Sequence, residues 1–268
     1  MAEFRTVILA GERPGGSPLS RAFNVPASVM VPVAGKPALA RVMEAVNNSR
    51  HAGGGLICGP SIDIVNSSQA LSGLLQQPDY QWLAPAAGPA ASALLAIENL
   101  DYFPTLLTAG DHALLTSEIV DDFCTRASLS DNRSKYDFVI GFVPYPLVKA
   151  TWPDSRRTVL KFSNGQFCGS NLFAILSTAG LRAFSFWRQA EAERKQPWRI
   201  ARRFGPAVLL RYLFRRLTLE GALKSLSTAS GCRIGHVQVA FARAAVDVDS
   251  IADQRLAEKI LSSENPVV

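Results

Sequence analysis

An α/β fold with an open, mostly parallel sheet flanked by helices is predicted by three features of the sequence. Short apolar runs alternate with helical patterns through the first half of the chain. Those runs carry few polar residues, as strands buried on both faces do. Glycine, proline or a hydroxyl residue punctuates nearly every change of pattern. With 268 residues, 48% of them hydrophobic, the chain can bury a core without disulfides or a structural metal. The length suits one large α/β domain, or one domain with an appended subdomain.

The first strand is predicted at Thr6–Ala10, where Val7, Ile8 and Leu9 run into Gly11. A Gly/Pro-rich loop spans Gly11 to Pro18. Pro37 opens a helix through Val46, with Leu39, Val42, Met43 and Val46 on one face. Leu56–Cys58 reads as a strand, Ile62–Leu75 as a helical segment and Tyr80–Leu83 as a third strand. Gly88-Pro89 introduces an alanine-rich helix through Leu100. Pro104–Ala109 is a further strand ending at Gly110-Asp111, and Thr116-Ser117 caps a helix that begins with Glu118. This strand–helix alternation implies right-handed crossovers.

The texture changes at Tyr136. Tyr136–Val143 reads as a strand. Arg157–Phe162, Asn164-Gly165 and Gln166–Cys168 read as a hairpin with an Asn-Gly turn. A basic helical block, expected to form a subdomain over 179–230, is broken near Pro197 and Gly205-Pro206. Ile234–Phe241 returns as a strand, Ala245–Asp249 as a short strand or loop, and Ile251–Leu261 as a closing helix.

The formal net charge of +6 favours anionic partners. Cys58, Cys124, Cys168 and Cys232 form no CxxC pair, which argues against a zinc cluster. No signal-peptide pattern is present, and no run approaches the roughly 18 apolar residues of a membrane span. The expected location is cytoplasmic, with a membrane-peripheral site as the alternative.

Four places carry candidate chemistry. At Leu9-Ala10-Gly11 a strand ending in glycine lets backbone amides approach a polyphosphate, and Arg13 adds a bidentate donor. A tight surface turn explains the same residues. No GKS, GKT or GxGxxG accompanies them. Asp111 follows a buried strand at the edge where open α/β sheets bind ligands, and a carboxylate there suits Mg²⁺ on phosphate oxygens. Its alternative role is to cap the following turn, with His112 packing beside it. Asp247 and Asp249 alternate along an extended segment and so share one side. They are candidates to complete a magnesium site, or Asp249 and Ser250 cap the last helix. Gly169–Phe173 reads as a small-residue turn before a helix, with Asn171 as its polar side chain.

In sequence order, Val7–Gly11, Val31–Pro37, Gly88-Pro89 with Ser92, Thr108–Asp111, Gly169–Phe173 and Val246–Asp249 resemble the MobA-like nucleotidyltransferase family. That resemblance implies a Rossmann-like sheet of the GT-A nucleotidyltransferase type. It implies transfer of a nucleoside monophosphate from an NTP to a phosphorylated acceptor, with Mg²⁺ and release of pyrophosphate. By resemblance, Leu9, Ala10, Gly11 and Arg13 belong to the triphosphate loop, and Asp111 and Arg13 are the catalytic residues. Gly88, Pro89 and Ser92 lie near base and ribose. Asp111 matches the magnesium aspartate, Asp249 with Asp247 the second metal contact, and Asn171 the acceptor side. The family usually has a lysine eight residues before the position of Lys36; this chain has Ser28. Arg13, Arg21 and Lys36 are the cations that would compensate. Two other classes remain open: a nucleotide-binding protein with impaired catalysis, and a sugar-nucleotide-dependent transferase.

The stretch from Arg182 to Lys224 interleaves Arg188, Arg194, Lys195, Arg199, Arg202, Arg203, Arg211, Arg215 and Arg216 with Trp187, Trp198, Phe204, Tyr212 and Phe214. It reads as a helical face in solvent, as a basic amphipathic surface for anionic lipid, or as a collar for a phosphorylated acceptor, including a lipid-linked one. Nucleic acid is disfavoured, because no recognition motif accompanies the charge.

Overall fold

The protein is described by a computed structural model covering residues 3–193, 204 and 206–264. Its strands are β1 (Phe4–Leu9), β2 (Pro32–Val33), β3 (Lys36–Pro37), β4 (Ala52–Cys58), β5 (Gln81–Leu83), β6 (Thr105–Ala109), β7 (Phe138–Pro144), β8 (Leu160–Phe162), β9 (Gly165–Ile175) and β10 (Ile234–Gln238). The main sheet runs β10-β7-β9-β6-β1-β4-β5, with β8 paired to β9 and β2-β3 forming a small separate ribbon. Strand β1 is parallel to β4 and β6, β4 to β5, and β10 to β7. Within the main sheet, among the described residues, β9 runs against its neighbours β6, β7 and β8. The mixed α/β class predicted from the alternating pattern is the one observed.

The helices are α1 (Pro18–Ala22), α2 (Ala38–Asn47), α3 (Ile62–Asn66), α4 (Gln69–Leu75), α5 (Pro89–Leu100), α6 (Ser117–Ser128), α7 (Ser130–Lys135), α8 (Tyr145–Thr151), α9 (Leu181–Ala192), α10 (Pro206–Leu213), α11 (Leu219–Ser230) and α12 (Ile251–Glu264). Successive strand residues face opposite layers. Ile8 and Leu106 join Leu39, Val42, Ile119 and Phe123 of α2 and α6 on one face. Val7 and Leu107 join Ala93, Ile97, Phe184, Leu219 and Leu223 of α5, α9 and α11 on the other. A third cluster sets Val246 and Val248 against Val31, Val33, Leu114 and the α12 residues Ala257 and Ile260.

Three readings are corrected. The helical pattern Ile62–Leu75 is two helices, because Ser68 leaves the helix and its side chain caps α4 at Leu71 N. The residues Gly169–Phe173 are not a turn before a helix; they lie inside the 11-residue strand β9. Small residues occur there because the strand bulges. Asn171 adopts φ +51°, and the register against β7 shifts between Ile140 and Phe142. A Cβ on Gly141 would stand 2.3 Å from Ser170 Oγ, so a larger residue opposite the bulge would make that side chain move. Finally, β10 stops at Gln238, and a 3-10 turn over Ala242–Ala245 leads into the aspartate segment. The break placed near Pro197 lies outside the described residues.

Candidate active site

Strands β1 and β6 are adjacent and parallel, with Leu9 opposite Ala109. Their carboxyl ends therefore release Ala10-Gly11 and Gly110-Asp111 side by side, at the edge where open sheets bind ligands. Gly110 N donates to Leu9 O at 2.8 Å and Ala10 N to Cys58 O at 2.8 Å, which ties the two loops to the strand ends. Pairing then brings in a third segment from far along the chain: Val248 N donates to Asp111 O at 3.0 Å. Val246 and Val248 are buried, so the alternation predicted for this segment turns Asp247 and Asp249 toward Asp111.

The resulting cluster is electrostatically unbalanced. Asp111 Oδ1 is shielded from solvent and has no hydrogen-bond partner. Burial first, then repulsion from Asp249 and Asp247, pushes the Asp111 carboxyl up to about 7. Asp249 stands at the exposed rim and is raised by burial and by Asp247 and Asp253, with Arg13 and Arg157 opposing. Beside them His112 is fully buried, and burial holds its imidazole neutral, down to about 4. It lies wholly within the fold.

Asp247 is held by a residue that the sequence pattern marked only as the start of a hairpin. Arg157 is nearly buried, with 8% of its side chain exposed. Its Nη1 donates to Asp247 Oδ1 at 3.1 Å, its Nη2 to Asp253 Oδ1 on α12, and its Nε to Ser155 Oγ at 3.1 Å. Asn171 Nδ2, carried on the β9 bulge, donates to Asp247 Oδ2 at 3.3 Å. Asp111 and Asp249 thus face each other with little compensation, while Asp247 is anchored by Arg157 and Asn171. Nothing local in sequence links Arg157 to residues 90 and 96 positions away, so no sequence pattern marks it.

The loop after β1 is open on its ligand side. A Cβ on Gly11 would meet no atom within 4 Å, so the glycine leaves space there. Glu12 Oε2 accepts from Ser28 N at 2.5 Å and Oε1 from Arg13 N at 2.8 Å. Of the cations near the Ser28 position, Arg21 is spent on the carbonyls of Gly15 (3.0 Å) and Gly16 (2.8 Å). Lys36 pairs with Glu44 at 2.8 Å on the exposed side of α2. Arg13 is exposed, and its charge reaches Asp249. Gly88 and Pro89 start α5 at the same sheet edge, beyond β5. Ser92 is buried: its hydroxyl accepts from Ala86 N at 3.0 Å, so it shapes that loop from within. Glu191 Oε2 of α9 accepts from Ala90 N at 3.3 Å at the start of α5.

Among the described residues no three His, Cys, Asp or Glu side chains stand close enough to hold a metal by themselves. Mg²⁺ does not need such a cage. It is usually held by one or two carboxylates, with phosphate oxygens and water completing the shell. The partnerless Asp111 oxygen, the facing Asp249 and the open space over Gly11 suit that mode.

No protein-family profile matches the sequence, and no curated protein matches it. Solved structures do. A hypothetical transferase from Thermus thermophilus is 24% identical with a TM-score of 0.75, covering 95% of this chain and all of its own. A CMP:2-keto-3-deoxy-manno-octonic acid synthetase complexed with CTP is 11% identical with a TM-score of 0.59, covering 98% of this chain and all of its own. A 4-diphosphocytidyl-2C-methyl-D-erythritol synthase from Anaerococcus prevotii is 9% identical with a TM-score of 0.57, covering 97% of this chain and 96% of its own. At these identities the likeness establishes the fold alone: a mixed α/β chain with a mostly parallel sheet flanked by helices, shared with these structures.

Proposed function

We propose that this chain is a Mg²⁺-dependent nucleotidyltransferase of the MobA-like type. It moves a nucleoside monophosphate from an NTP to a phosphorylated acceptor. The observation that carries the reading is the convergence of Asp111 and Asp249 beside the open loop at Gly11, with one buried carboxylate oxygen lacking any partner. Solved structures whose names carry CMP with bound CTP and a diphosphocytidyl product share the fold, which favours nucleotide chemistry at this edge.

In the reaction an acceptor phosphate oxygen attacks the α-phosphorus in line. The new P–O bond forms as the bond to the β-phosphate breaks, and pyrophosphate leaves with both electrons. Bound Mg²⁺ would supply charge neutralisation on the phosphate oxygens, held by Asp111 and Asp249. The protein's part is positioning and further neutralisation. Gly11 offers its backbone to the triphosphate, Leu9 and Ala10 fix that loop through their bonds to Gly110 N and Cys58 O, and Arg13 pairs with the phosphates. Gly88 and Pro89 border the nucleoside side, with Ser92 fixing their loop. Asn171, tied through Asp247 to Arg157, would contact the acceptor.

The test is pyrophosphate release from each NTP with Mg²⁺ and a panel of phosphorylated acceptors, including sugar phosphates, phosphorylated acids and lipid-linked phosphates. Release by the native chain that Asp111→Ala abolishes, without unfolding, is the expected result. Unchanged turnover in that variant would contradict the assignment. A second reading, binding without turnover, is favoured by one observation. At Ser28 the usual lysine is absent, and the backbone amide there is occupied by Glu12. NTP binding without release, with a large gain in Ser28→Lys, would select it. Cleavage of UDP-sugars in place of NTPs would select a sugar transferase.

A further inference from the structure

Residues 209–216, Leu-Leu-Arg-Tyr-Leu-Phe-Arg-Arg, are exposed without interruption. Leu213 is 64% and Phe214 70% exposed. The segment projects between two anchors. Before it, the Phe204 ring packs edge-on against Phe186 of α9 at 5.6 Å. After it, Ser163 N donates to Leu217 O at 2.8 Å, and Leu217 and Leu219 are buried. Helical spacing puts Leu209, Leu210 and Leu213 on one face of α10. Arg211 lies on the opposite side, and Arg215 and Arg216 follow at the C-terminal end, where Arg216 N donates to Arg211 O at 2.7 Å.

A soluble domain gains nothing by holding four large apolar side chains and a tyrosine in water, and such patches mark contact surfaces. The chemistry of this one is specific. Leucine and phenylalanine are joined by arginine and a tyrosine, and residues 209–216 include no acidic side chain. That composition suits the boundary between headgroups and acyl chains, where apolar groups enter and guanidinium groups meet phosphate. A protein partner would need an acidic rim around an apolar groove; an anionic bilayer supplies both everywhere on its surface.

We infer that the α10 projection docks this chain on anionic lipid bilayers, with Leu209, Leu210, Leu213 and Phe214 inserted and Arg211, Arg215 and Arg216 on the lipid phosphates. No helix among the described residues is long and apolar enough to cross a membrane, so the contact is peripheral. The inference stands apart from the proposed reaction, since none of these residues belongs to the site at Asp111.

Flotation of the full chain with vesicles tests it. Vesicles of neutral phosphatidylcholine alone are compared with vesicles containing one-third phosphatidylglycerol. Binding to the anionic vesicles is expected, falling steeply with added salt. Arg211→Gln/Arg215→Gln/Arg216→Gln should weaken it on the order of 100-fold, at about fivefold per arginine. Leu210→Ser/Leu213→Ser/Phe214→Ser should abolish it, while the melting temperature stays at the native value because these side chains carry no core contacts. Equal binding to neutral and anionic vesicles would overturn the inference. So would native-like binding of the serine variant. Self-association that the serine variant breaks, without vesicle binding, would assign the patch to a second copy of the chain instead.

Discussion

Two aspartates in this fold, both beside the ends of strands, are treated in opposite ways. Asp137, next to β7, is fully satisfied. Arg233 donates to it from its backbone N (2.9 Å), Nε (3.0 Å) and Nη2 (2.8 Å), and Ser177 Oγ adds a fourth bond at 2.9 Å. Those arginine hydrogen bonds hold its carboxyl down to about 2. Asp111, beyond β6, has a buried oxygen with no partner and two carboxylates for neighbours, and its carboxyl rises to about 7. Folding alone explains the first arrangement. It does not explain the second, because a buried carboxylate oxygen without a partner is a cost to stability. The contrast supports the proposal that Asp111 holds a ligand, since the polypeptide supplies its carboxylate oxygen no partner.

Substitutions at the two places should therefore part activity from stability. Asp111→Asn is expected to reduce NTP turnover by on the order of 10³-fold, since it removes the charge proposed to hold Mg²⁺ against the phosphates. Its melting temperature should match or exceed that of the native chain, because the repulsion with Asp249 goes. A fall of several degrees in thermal melts would mean that Asp111 is structural after all. Arg157→Met sits between the extremes. It leaves Asp247 and Asp253 without their buried cation, so urea unfolding should show a loss of about 3 kcal/mol. Weaker acceptor use should accompany that loss if Asp247 orients Asn171.

At the satisfied aspartate, Asp137→Asn should cost about 2 kcal/mol through its charge-assisted hydrogen bonds and leave turnover per folded molecule unchanged. The smallest effect is one of pH. The folded Asp137 carboxyl is held below its unfolded value, so its stabilisation is complete above about pH 4 and is lost as pH falls toward 2. Acid melts of native protein and Asp137→Asn should converge over that window. Parallel curves would show that the ion pair with Arg233 contributes nothing.

Much of this was legible in the sequence where the signal is local. Val7–Gly11 and Leu106–Asp111 announce buried strands that end at ligand-binding loops, because an apolar run followed by glycine has few other uses. The Val246–Asp249 alternation separated buried valines from outward aspartates for the same reason. What escaped depends on distant parts of the chain. The bulge at Asn171 looks like a turn until β7 and β6 are set on either side of β9. Arg157 becomes part of the site only when α12 and the Asp247 segment fold back over it. Ser92 carries its family-like position inward, to a loop amide that no local pattern identifies.

The central claim is that Asp111 and Asp249 form half of a metal–nucleotide site. Thermal melts with each NTP, with and without Mg²⁺, on the native chain and Asp111→Asn test it most directly. At ligand concentrations about 100-fold above Kd, binding should add about 2.7 kcal/mol, a rise of roughly 5–10 °C for a chain of this size. The account predicts that rise for at least one NTP, only with Mg²⁺, and only in the native protein. No rise with any NTP, or the same rise in Asp111→Asn, would contradict it.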